Sequence, residues 1–151
     1  MEIRSIRDTK KLSENISKII KTEDTIFLYG EIGVGKTTFV RFLINYLETK
    51  NKLKKSDILS PTFNIVYDYS IKKKIILHYD LYRLKNYNDI LELGIFENDN
   101  NHIKIIEWPE LIKKKPKHRI EMFFQYTKLV NSRNVKINGF GRCKSYKFNE
   151  I

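Results

Sequence analysis

The sequence contains Gly30-Glu31-Ile32-Gly33-Val34-Gly35-Lys36-Thr37, which fits the phosphate-binding pattern G-x-x-x-x-G-K-S/T. Residues 25–29 lie directly before this stretch and form a β-branched and aromatic run of strand length. Apolar residues follow it at helical spacing, at Phe39, Val40, Leu43, Ile44 and Leu47. Residues 30–37, here called the glycine-rich loop, therefore join a predicted strand to a predicted helix, the context that a phosphate-binding loop requires.

The residue types of the glycine-rich loop suit an anion for separate reasons. Its glycines at 30, 33 and 35 permit backbone angles and close approaches that a Cβ would block, so that successive N–H groups can converge. The predicted helix starts near Lys36, and its N-terminus adds unpaired donors and the positive end of the helix dipole. Lys36 is predicted to reach the β- and γ-phosphates of a nucleoside triphosphate, and the Thr37 hydroxyl to bind Mg²⁺.

Length and composition predict a single domain over residues 1–151. No apolar stretch approaches the roughly 20 residues of a membrane span, and the chain begins in a polar, strand-like segment instead of a signal peptide. The one cysteine, Cys143, excludes an internal disulfide and a four-cysteine zinc site. We expect a soluble cytoplasmic protein that is monomeric on its own and does not contact membranes.

The formal net charge of +11 has two interpretations. A strongly basic surface attracts polyanions at long range, which would suit direct contact with nucleic acid. The sequence also lacks alanine and is rich in Lys, Ile and Asn, which an AT-rich genome produces without selection for binding. The lysine runs at 72–74 and 113–115 are typical of a hairpin tip and a solvated turn. Direct contact with nucleic acid therefore stays one of two alternatives.

Strands and helices alternate along the chain. Residues 2–7 are predicted to form a strand, and Asp8 or Thr9 to cap a helix with the apolar face Leu12, Ile16, Ile19 and Ile20. Residues 88–93 are predicted to form a short helix closed by Gly94. The other predicted strands are an antiparallel hairpin of 64–69 and 75–82, then 103–108, 119–126, 133–137 and 144–148. These elements predict an α/β fold with a mixed central sheet and a β-rich C-terminal part.

A phosphate-binding loop of this kind needs a carboxylate at the end of a neighbouring buried strand, where it can reach the ligands of Mg²⁺. Three isoleucines make residues 103–107 such a strand. Glu107 falls at its C-terminal edge, the side on which open α/β sheets bind ligands. Glu107 is therefore predicted to be a catalytic residue and a metal ligand. Trp108 either belongs to the core or covers the site.

The region between the glycine-rich loop and Glu107 contains further polar groups. Ser60-Pro61-Thr62-Phe63 is a proline-containing turn before a strand, where a segment that senses the nucleotide is expected. The period of two in a strand puts His78, Asp80 and Tyr82 on one face. Taken alone, a His and an Asp at this spacing indicate surface residues more often than catalytic ones. Metal binding by His78 is not predicted, because no second histidine lies at a useful spacing.

Five motifs, in their order and spacing, closely resemble the TsaE family of bacterial ATPases in tRNA threonylcarbamoyladenosine synthesis. They are the glycine-rich loop with Thr38, Ser60-Pro61-Thr62-Phe63, His78-Tyr79-Asp80-Leu81-Tyr82-Arg83-Leu84, Leu93-Gly94-Ile95 and Ile106-Glu107-Trp108-Pro109. Each motif after the first is weak alone, and together they are highly specific. The resemblance covers about residues 1–137 and leaves the segment from Asn138 onward unmatched.

The resemblance implies a fold, an activity and partners. Members of this family have a three-layer fold like that of P-loop NTPases, bind ATP and Mg²⁺, and hydrolyse ATP poorly by themselves. They act with the TsaD–TsaB pair, which transfers the threonylcarbamoyl group to N6 of adenosine 37 in tRNAs reading codons that begin with A. The TsaE-like protein is not itself the transferase, and its ATP cycle resets or sustains turnover of the complex. tRNA is thus expected to be at least an indirect partner.

The resemblance also implies roles for the residues of the glycine-rich loop and its surroundings. Lys36 and the backbone amides of residues 30–37 would hold the phosphates. Thr38 would lie near the α-phosphate. Thr37 and Glu107 would hold Mg²⁺.

Outside the loop, the resemblance implies that Asp80 orders the attacking water or the outer ligands of Mg²⁺. Residues 60–62 would form a switch-like segment near the γ-phosphate, and Trp108 would shape the floor of the site. The counterparts of Thr9 and Arg133 lie near the base or sugar of the nucleotide. No arginine is assigned from the sequence as an internal arginine finger, which leaves open that a partner completes the site.

Other classes of protein share the glycine-rich loop. A small-molecule kinase would also carry an acceptor pocket and an arginine-bearing lid, and this short chain offers no clear lid insertion. A GTP-dependent switch would show an Asn-Lys-x-Asp motif and an Asp-x-x-Gly turn, and the sequence contains neither. In a nucleotide-dependent assembly switch, ATP would act chiefly as an assembly signal and hydrolysis would only release the partner.

Overall fold

A mixed β-sheet forms the centre of the structure, a computed structural model that describes residues 1–61, 64–96, 101–129 and 131–148. The described residues form three α-helices, α1 (Ile6–Ile19), α2 (Lys36–Lys50) and α3 (Tyr87–Glu92). They also form seven strands: β1 (Glu2–Ile3), β2 (Thr25–Tyr29), β3 (Val66–Ile71), β4 (Lys74–Asp80), β5 (His102–Glu107), β6 (Arg119–Tyr126) and β7 (Arg133–Phe140). Short 3₁₀ helices occur at Pro109–Leu111 and Gly141–Ser145. In this described part of the chain, no helix is long and apolar enough to cross a membrane.

The strand order in the sheet is β1-β7-β6-β2-β5-β4-β3. The inner strands β6, β2, β5 and β4 run parallel to one another, and antiparallel strands flank them on both sides. Because the C-terminal ends of parallel strands meet at one edge of a sheet, the residues that follow β2, β4 and β5 lie side by side there. The predicted mixed sheet with a β-rich C-terminal part is confirmed.

Apolar cores cover both faces of the sheet, because successive side chains of a strand point to opposite faces. In β2, Ile26 and Leu28 pack into the core that contains α1 and α2, whereas Phe27 points to the other face, towards Ile90 of α3. The predicted helical faces are turned inward, with full burial of Leu12, Ile16, Phe39, Val40, Leu43 and Ile44. The sheet therefore lies between helices on both sides, which gives the predicted three layers.

The N-terminal strand is shorter than predicted, and the cap of α1 is a different residue. β1 ends at Ile3 rather than extending over residues 2–7. The cap is Ser5, whose hydroxyl oxygen accepts a hydrogen bond from the backbone N–H of Asp8 at 3.2 Å. Asp8 and Thr9 lie inside the first turns of the helix, so the prediction that one of them caps α1 was wrong. A carboxylate in the first turn favours the helix through the dipole, which explains why Asp8 resembled a cap.

The predicted hairpin is present, with β3 and β4 joined at Lys72 and Lys73. β3 begins at Val66 rather than at residue 64, because Ile65 has a φ of 63° and belongs to the preceding turn. The predicted short helix is α3, and Gly94 follows it with a φ of 58°, as expected for a helix end.

The last predicted strand, residues 144–148, is wrong. Gly141 has a φ of 59° and turns the chain out of β7 into the 3₁₀ helix Gly141–Ser145. Two residues of this segment then donate to the buried carboxylate of Asp24. Nε of Arg142 lies 2.8 Å from one carboxylate oxygen, and the hydroxyl of Tyr146 lies 2.7 Å from the other. Because a buried carboxylate needs hydrogen-bond donors, this segment satisfies Asp24 instead of pairing as a strand. The pKa of the Cys143 thiol is raised to about 12, mainly by burial and secondly by the nearby carboxylate of Asp24.

We expect Tyr146→Phe to lower the free energy of unfolding by about 1–2 kcal/mol, because it removes a donor from a buried carboxylate. The measurement is urea unfolding of the wild-type chain and the variant. Tyr67→Phe is the matched control, since its hydroxyl accepts an exposed hydrogen bond from Asn64 at 2.8 Å. Equal stability of the two variants would show that the C-terminal segment does not stabilise Asp24.

Candidate functional site

The glycine-rich loop connects the end of β2 to the start of α2, at the edge where the parallel strands end. Gly30, Gly33 and Gly35 have φ angles of 137°, 74° and 116°, in the region that favours glycine. A Cβ on Gly30 would clash with the carbonyl oxygen of Phe124 in β6. The loop therefore takes its course partly because β2 and β6 approach each other closely at this point.

A tyrosine from β6 holds the other side of the loop. The hydroxyl of Tyr126 donates a hydrogen bond to the carbonyl oxygen of Ile32 at 2.9 Å. The guanidinium of Arg133 lies 4.4 Å from the centre of the Tyr126 ring, within cation–π distance. Arg133, at the start of β7, is thereby brought next to the loop, although it lies far away in the sequence.

Lys36, the first residue of α2, is only 4% exposed. Its ammonium group donates to the carbonyl oxygens of Gly30 at 2.6 Å and Glu31 at 2.9 Å. The same group lies 3.8 Å from the centre of the Trp108 ring. Burial lowers the pKa of Lys36, against the opposing effect of nearby carboxylates, Glu107 first. Lys36 is thus folded back onto the loop's own carbonyl oxygens.

Glu107 ends β5 directly beside the glycine-rich loop, and it is only 2% exposed. Its Oε2 accepts a hydrogen bond from the hydroxyl of Thr37 at 3.0 Å. Its Oε1 lies 2.9 Å from Nε2 of His78 in β4. The sheet sets this arrangement, because Glu107 lies opposite Leu28 of β2 and Asp80 of β4 in the strand register.

His78 and Asp80 are buried, at 0% and 5% exposure, although a His and an Asp at this spacing are more often surface residues. β4 is covered on this face by the core of α1 and α2, to which its Ile76 belongs. The carboxylate of Asp80 accepts hydrogen bonds from the Ser60 hydroxyl at 2.7 Å and from the N–H of Tyr82 at 3.1 Å. Ser60 is therefore in contact with the site, Pro61 after it is buried, and Thr62 lies outside the described residues.

Trp108 has a φ of 58°, in the left-handed region, although a proline follows it. This combination is strained, because a residue before proline is restricted to extended backbone. The indole packs against the core beneath α3, and its ring centre lies 4.9 Å from that of Tyr82. Trp108 packs on the core and also lines a cavity beside the glycine-rich loop. Strained backbone of this kind often occurs at ligand sites.

Two cavities lie on either side of the glycine-rich loop. The first has a volume of about 240 Å³, and its lining includes Lys36, Thr37, Asp80, Glu107 and Trp108. The second has a volume of about 450 Å³, and its lining includes Thr9 and Arg133. Gly33, Gly35 and Thr38 line both cavities. The structure thus brings Thr9 and Arg133 to the loop, on the side away from Glu107.

The donor atoms in the first cavity suit Mg²⁺ better than a transition metal. In the described part of the chain, no three His, Cys, Asp or Glu residues group together to hold a metal ion. A hydroxyl and a carboxylate, at Thr37 and Glu107, are hard oxygen ligands. Mg²⁺ is commonly bound by few protein oxygens, with water and phosphate as its other ligands.

The sequence of this chain matches one family of known proteins over most of its length. The family described as "Threonylcarbamoyl adenosine biosynthesis protein TsaE" matches residues 3–135. The chain belongs to the TsaE family. The matched residues include the glycine-rich loop, Asp80 and Glu107, and they end before the C-terminal segment that binds Asp24.

Bacterial proteins with a related name are similar to the chain over the aligned residues. The "tRNA threonylcarbamoyladenosine biosynthesis protein TsaE" of Rickettsia conorii is 41% identical over 111 residues, 74% of this chain and 61% of that protein. The protein of the same name from Aquifex aeolicus is 38% identical over 110 residues, 72% of this chain and 74% of that protein. The chain therefore spans less than two thirds of the Rickettsia conorii protein.

A solved structure has the same fold. The crystal structure of Bacillus subtilis YdiB superposes with a TM-score of 0.70, covering 94% of this chain and 85% of that one. Their sequences are 20% identical, so the likeness concerns the fold alone. The TsaE-family chain thus has a P-loop NTPase-like fold.

Sequence reasoning missed two contributors to this site, His78 and Tyr126. A signal for His78 was present, because the period of two places it on the same face of β4 as Asp80. Its contact with Glu107 depended on the order of β4 and β5 in the sheet. Tyr126 carries no local signal, because it contacts the loop only through the pairing of β6 with β2.

We expect Gly30→Ala to destabilise the chain more than Gly35→Ala, by a difference of at least about 1 kcal/mol. Both positions have positive φ, so an added Cβ strains the backbone at each. Of the two, only Gly30 would also bring the Cβ against a backbone oxygen, since none of the described residues beyond the chain neighbours of Gly35 lies within 4 Å of a Cβ there. Thermal and urea unfolding of both variants measures the difference, and equal losses would contradict the close approach of β6.

Proposed function

We propose that this chain is an ATPase of low intrinsic activity that binds ATP with Mg²⁺ and supports formation of N6-threonylcarbamoyladenosine at position 37 of tRNA. The observation that carries the proposal is the 3.0 Å contact between the Thr37 hydroxyl and the Glu107 carboxylate, directly beside the glycine-rich loop. Oxygen ligands next to converging N–H groups suit a metal-bound triphosphate. We also propose that residues 1–151 act as one domain.

The phosphates would replace the loop's own carbonyl oxygens as partners of Lys36. The ammonium group is bonded at present to the carbonyl oxygens of Gly30 and Glu31. A phosphate oxygen carries more negative charge, so its hydrogen bond to an ammonium group is stronger. The N–H groups of residues 30–37 and the N-terminus of α2 favour an anion at the same place. Thr38 would lie near the α-phosphate, and Trp108 would form the floor below Lys36.

Thr37 and Glu107 would hold Mg²⁺ in the first cavity. When bound, the ion neutralises charge that develops on the transferred phosphoryl group. Both side chains are fixed before any ligand arrives, because the hydroxyl of one bonds to the carboxylate of the other. Little rearrangement of the chain is then needed for binding.

Asp80 is proposed to order the attacking water. Its carboxylate lines the same cavity as Lys36 and Glu107, and it is held by Ser60 and by the N–H of Tyr82. We propose that Ser60, Pro61 and Thr62 form a switch-like segment that responds to the γ-phosphate through Asp80. The described residues that line this cavity include no arginine, so a partner would supply that charge. The low intrinsic activity that we propose for the chain alone would follow from this.

The base or sugar of ATP would occupy the second cavity, near Thr9 and Arg133. Because the two cavities share Gly33, Gly35 and Thr38, one elongated ligand can contact both of them. The loop residues between them would then follow the phosphates, with Arg133 held in place by the Tyr126 ring.

The names of the relatives support the proposed pathway, because they are called tRNA threonylcarbamoyladenosine biosynthesis proteins. We propose that the chain is monomeric alone, acts in the cytoplasm with the TsaD–TsaB pair and contacts tRNA through that pair. Ile32, in the glycine-rich loop itself, is 70% exposed, and Tyr82 is exposed at the first cavity. These apolar groups favour a second candidate, a nucleotide-dependent assembly switch in which hydrolysis only releases the partner.

The main test is multi-turnover modification of tRNA by TsaD and TsaB, with and without this chain. Repeated turnover is expected only when the chain and ATP are both present. Equal product in its absence would defeat the proposed function. A non-hydrolysable ATP analogue separates the two candidates. If the chain works as an ATPase, tRNA modification with the analogue stops after at most one turnover. If ATP is only an assembly signal, the analogue still supports formation of the complex with the partner, which gel filtration detects.

We expect Lys36→Ala to weaken ATP binding on the order of 10- to 100-fold, because it removes charge-assisted hydrogen bonds to the phosphates. Titration calorimetry measures the change. Lys73→Ala is the matched control, since Lys73 lies at the turn between β3 and β4. An unchanged affinity in Lys36→Ala would overturn the assignment of the phosphate site.

Glu107→Gln should lower Mg²⁺-dependent ATP hydrolysis by more than about 10-fold while the chain stays folded. The amide keeps the size of the side chain and removes its negative charge. Release of phosphate at several Mg²⁺ concentrations measures the effect, with Glu92→Gln on α3 as the control. Normal turnover in Glu107→Gln would remove Glu107 from the metal site.

A further inference from the structure

We propose that His78 is a positioning residue for Mg²⁺: it holds Oε1 of Glu107, so that Oε2 faces Thr37 and the metal. This inference rests on the proposed function of Thr37 and Glu107. Nε2 of His78 lies 2.9 Å from Oε1, while the Thr37 hydroxyl lies 3.0 Å from Oε2. Each oxygen of the carboxylate therefore has a separate partner, from a separate element of the fold.

The backbone fixes His78 in this position. β4 and β5 are parallel neighbours in which His78 lies opposite Ile105 and Asp80 lies opposite Glu107. Ile76 and Ile105 belong to the core of α1 and α2, so alternation turns His78 and Glu107 to that same face. His78 is completely buried. No solvent can replace its contact with the carboxylate.

The contact also fixes the tautomer. An ionised carboxylate only accepts hydrogen bonds, so Nε2 of His78 carries the hydrogen in this contact. In the described part of the structure, Nδ1 of His78 is buried without a hydrogen-bond partner. A hydrogen there would be a buried donor without an acceptor, which is costly. The imidazole thus uses one nitrogen, and that nitrogen bonds to Glu107.

This single bond restricts what the Glu107 carboxylate can do. Without a donor at Oε1, the carboxylate plane is free to rotate about its last bond, so that neither oxygen is held towards Thr37. With the donor present, Oε2 stays aimed at the hydroxyl and the proposed metal. Groups that orient a metal ligand in this way typically contribute 10- to 100-fold to metal affinity or activity.

A purely structural role for His78 makes a different prediction. If His78 only fills space and satisfies a buried carboxylate, its replacement lowers stability and leaves the Mg²⁺ requirement of the folded chain unchanged. A positioning role raises the Mg²⁺ requirement, and a side chain with a donor at the position of Nε2 restores it. The Mg²⁺ concentration that gives half-maximal nucleotide binding separates these roles.

The test compares His78→Gln with His78→Asn in the full chain. The Gln amide nitrogen can reach the position of Nε2, whereas the shorter Asn amide corresponds to Nδ1. Binding of a non-hydrolysable ATP analogue is followed at increasing Mg²⁺ by fluorescence of Trp108, the one tryptophan of the chain. We expect His78→Asn to raise the half-maximal Mg²⁺ concentration about 10- to 100-fold and His78→Gln to stay within about threefold of the wild type. Binding in EDTA should be equal in all three proteins.

An unchanged Mg²⁺ requirement in folded His78→Asn would overturn the inference, and so would an equal rise in both variants. Absence of Mg²⁺-dependent nucleotide binding in the wild-type chain would instead defeat the proposed function itself. The wild-type chain gives an independent check that needs no variant. Its ¹⁵N imidazole NMR spectrum should show the hydrogen of His78 on Nε2, and a hydrogen on Nδ1 alone would contradict the proposed bond.

Discussion

The buried carboxylate of Glu107 is the constraint on which the rest of the site depends. A carboxylate that is removed from water must find donors, or it destabilises the fold. Its partners come from the first turn of α2 and from β4, through Thr37 and His78. These contacts are made because β5 lies between β2 and β4 in the sheet. The same pairing that stabilises the sheet therefore assembles the metal ligands that we propose.

The glycine-rich loop depends on a second set of long-range contacts. β6 approaches the start of the loop closely at Gly30, and Tyr126 at the end of β6 bonds to Ile32. Lys36 is turned back onto loop carbonyl oxygens and onto the Trp108 ring. The loop is thus formed before any ligand binds, which lowers the conformational entropy lost on binding. In the proposed function, this preformed loop binds ATP and the partner completes catalysis.

The local parts of this structure could be predicted from the sequence. The strand, loop and helix around residues 30–37 follow from glycine spacing and hydrophobic periodicity, and the position of Glu107 follows from the apolar run before it. The cap of α1 at Ser5 and the course of residues 144–148 were not predicted correctly, and the contact of His78 with Glu107 was not predicted. The cap is a local choice among neighbouring polar residues, because Ser5 accepts from the N–H of Asp8. The other two features are set by distant partners, through the bond of Tyr146 to Asp24 and the contact of His78 with Glu107. A local pattern does not report which strand lies next to which.

A crystal structure of the chain with Mg²⁺ and a non-hydrolysable ATP analogue would show whether the glycine-rich loop binds the triphosphate. We expect triphosphate density along residues 30–37, with the ammonium of Lys36 moved from the carbonyl oxygens of Gly30 and Glu31 to the phosphates. We also expect Mg²⁺ at about 2.0–2.1 Å from the Thr37 hydroxyl oxygen, with Glu107 directly at the metal or bonded to its water. Nucleotide bound away from the loop, or Mg²⁺ bound without contact to Thr37 and Glu107, would contradict the proposed function.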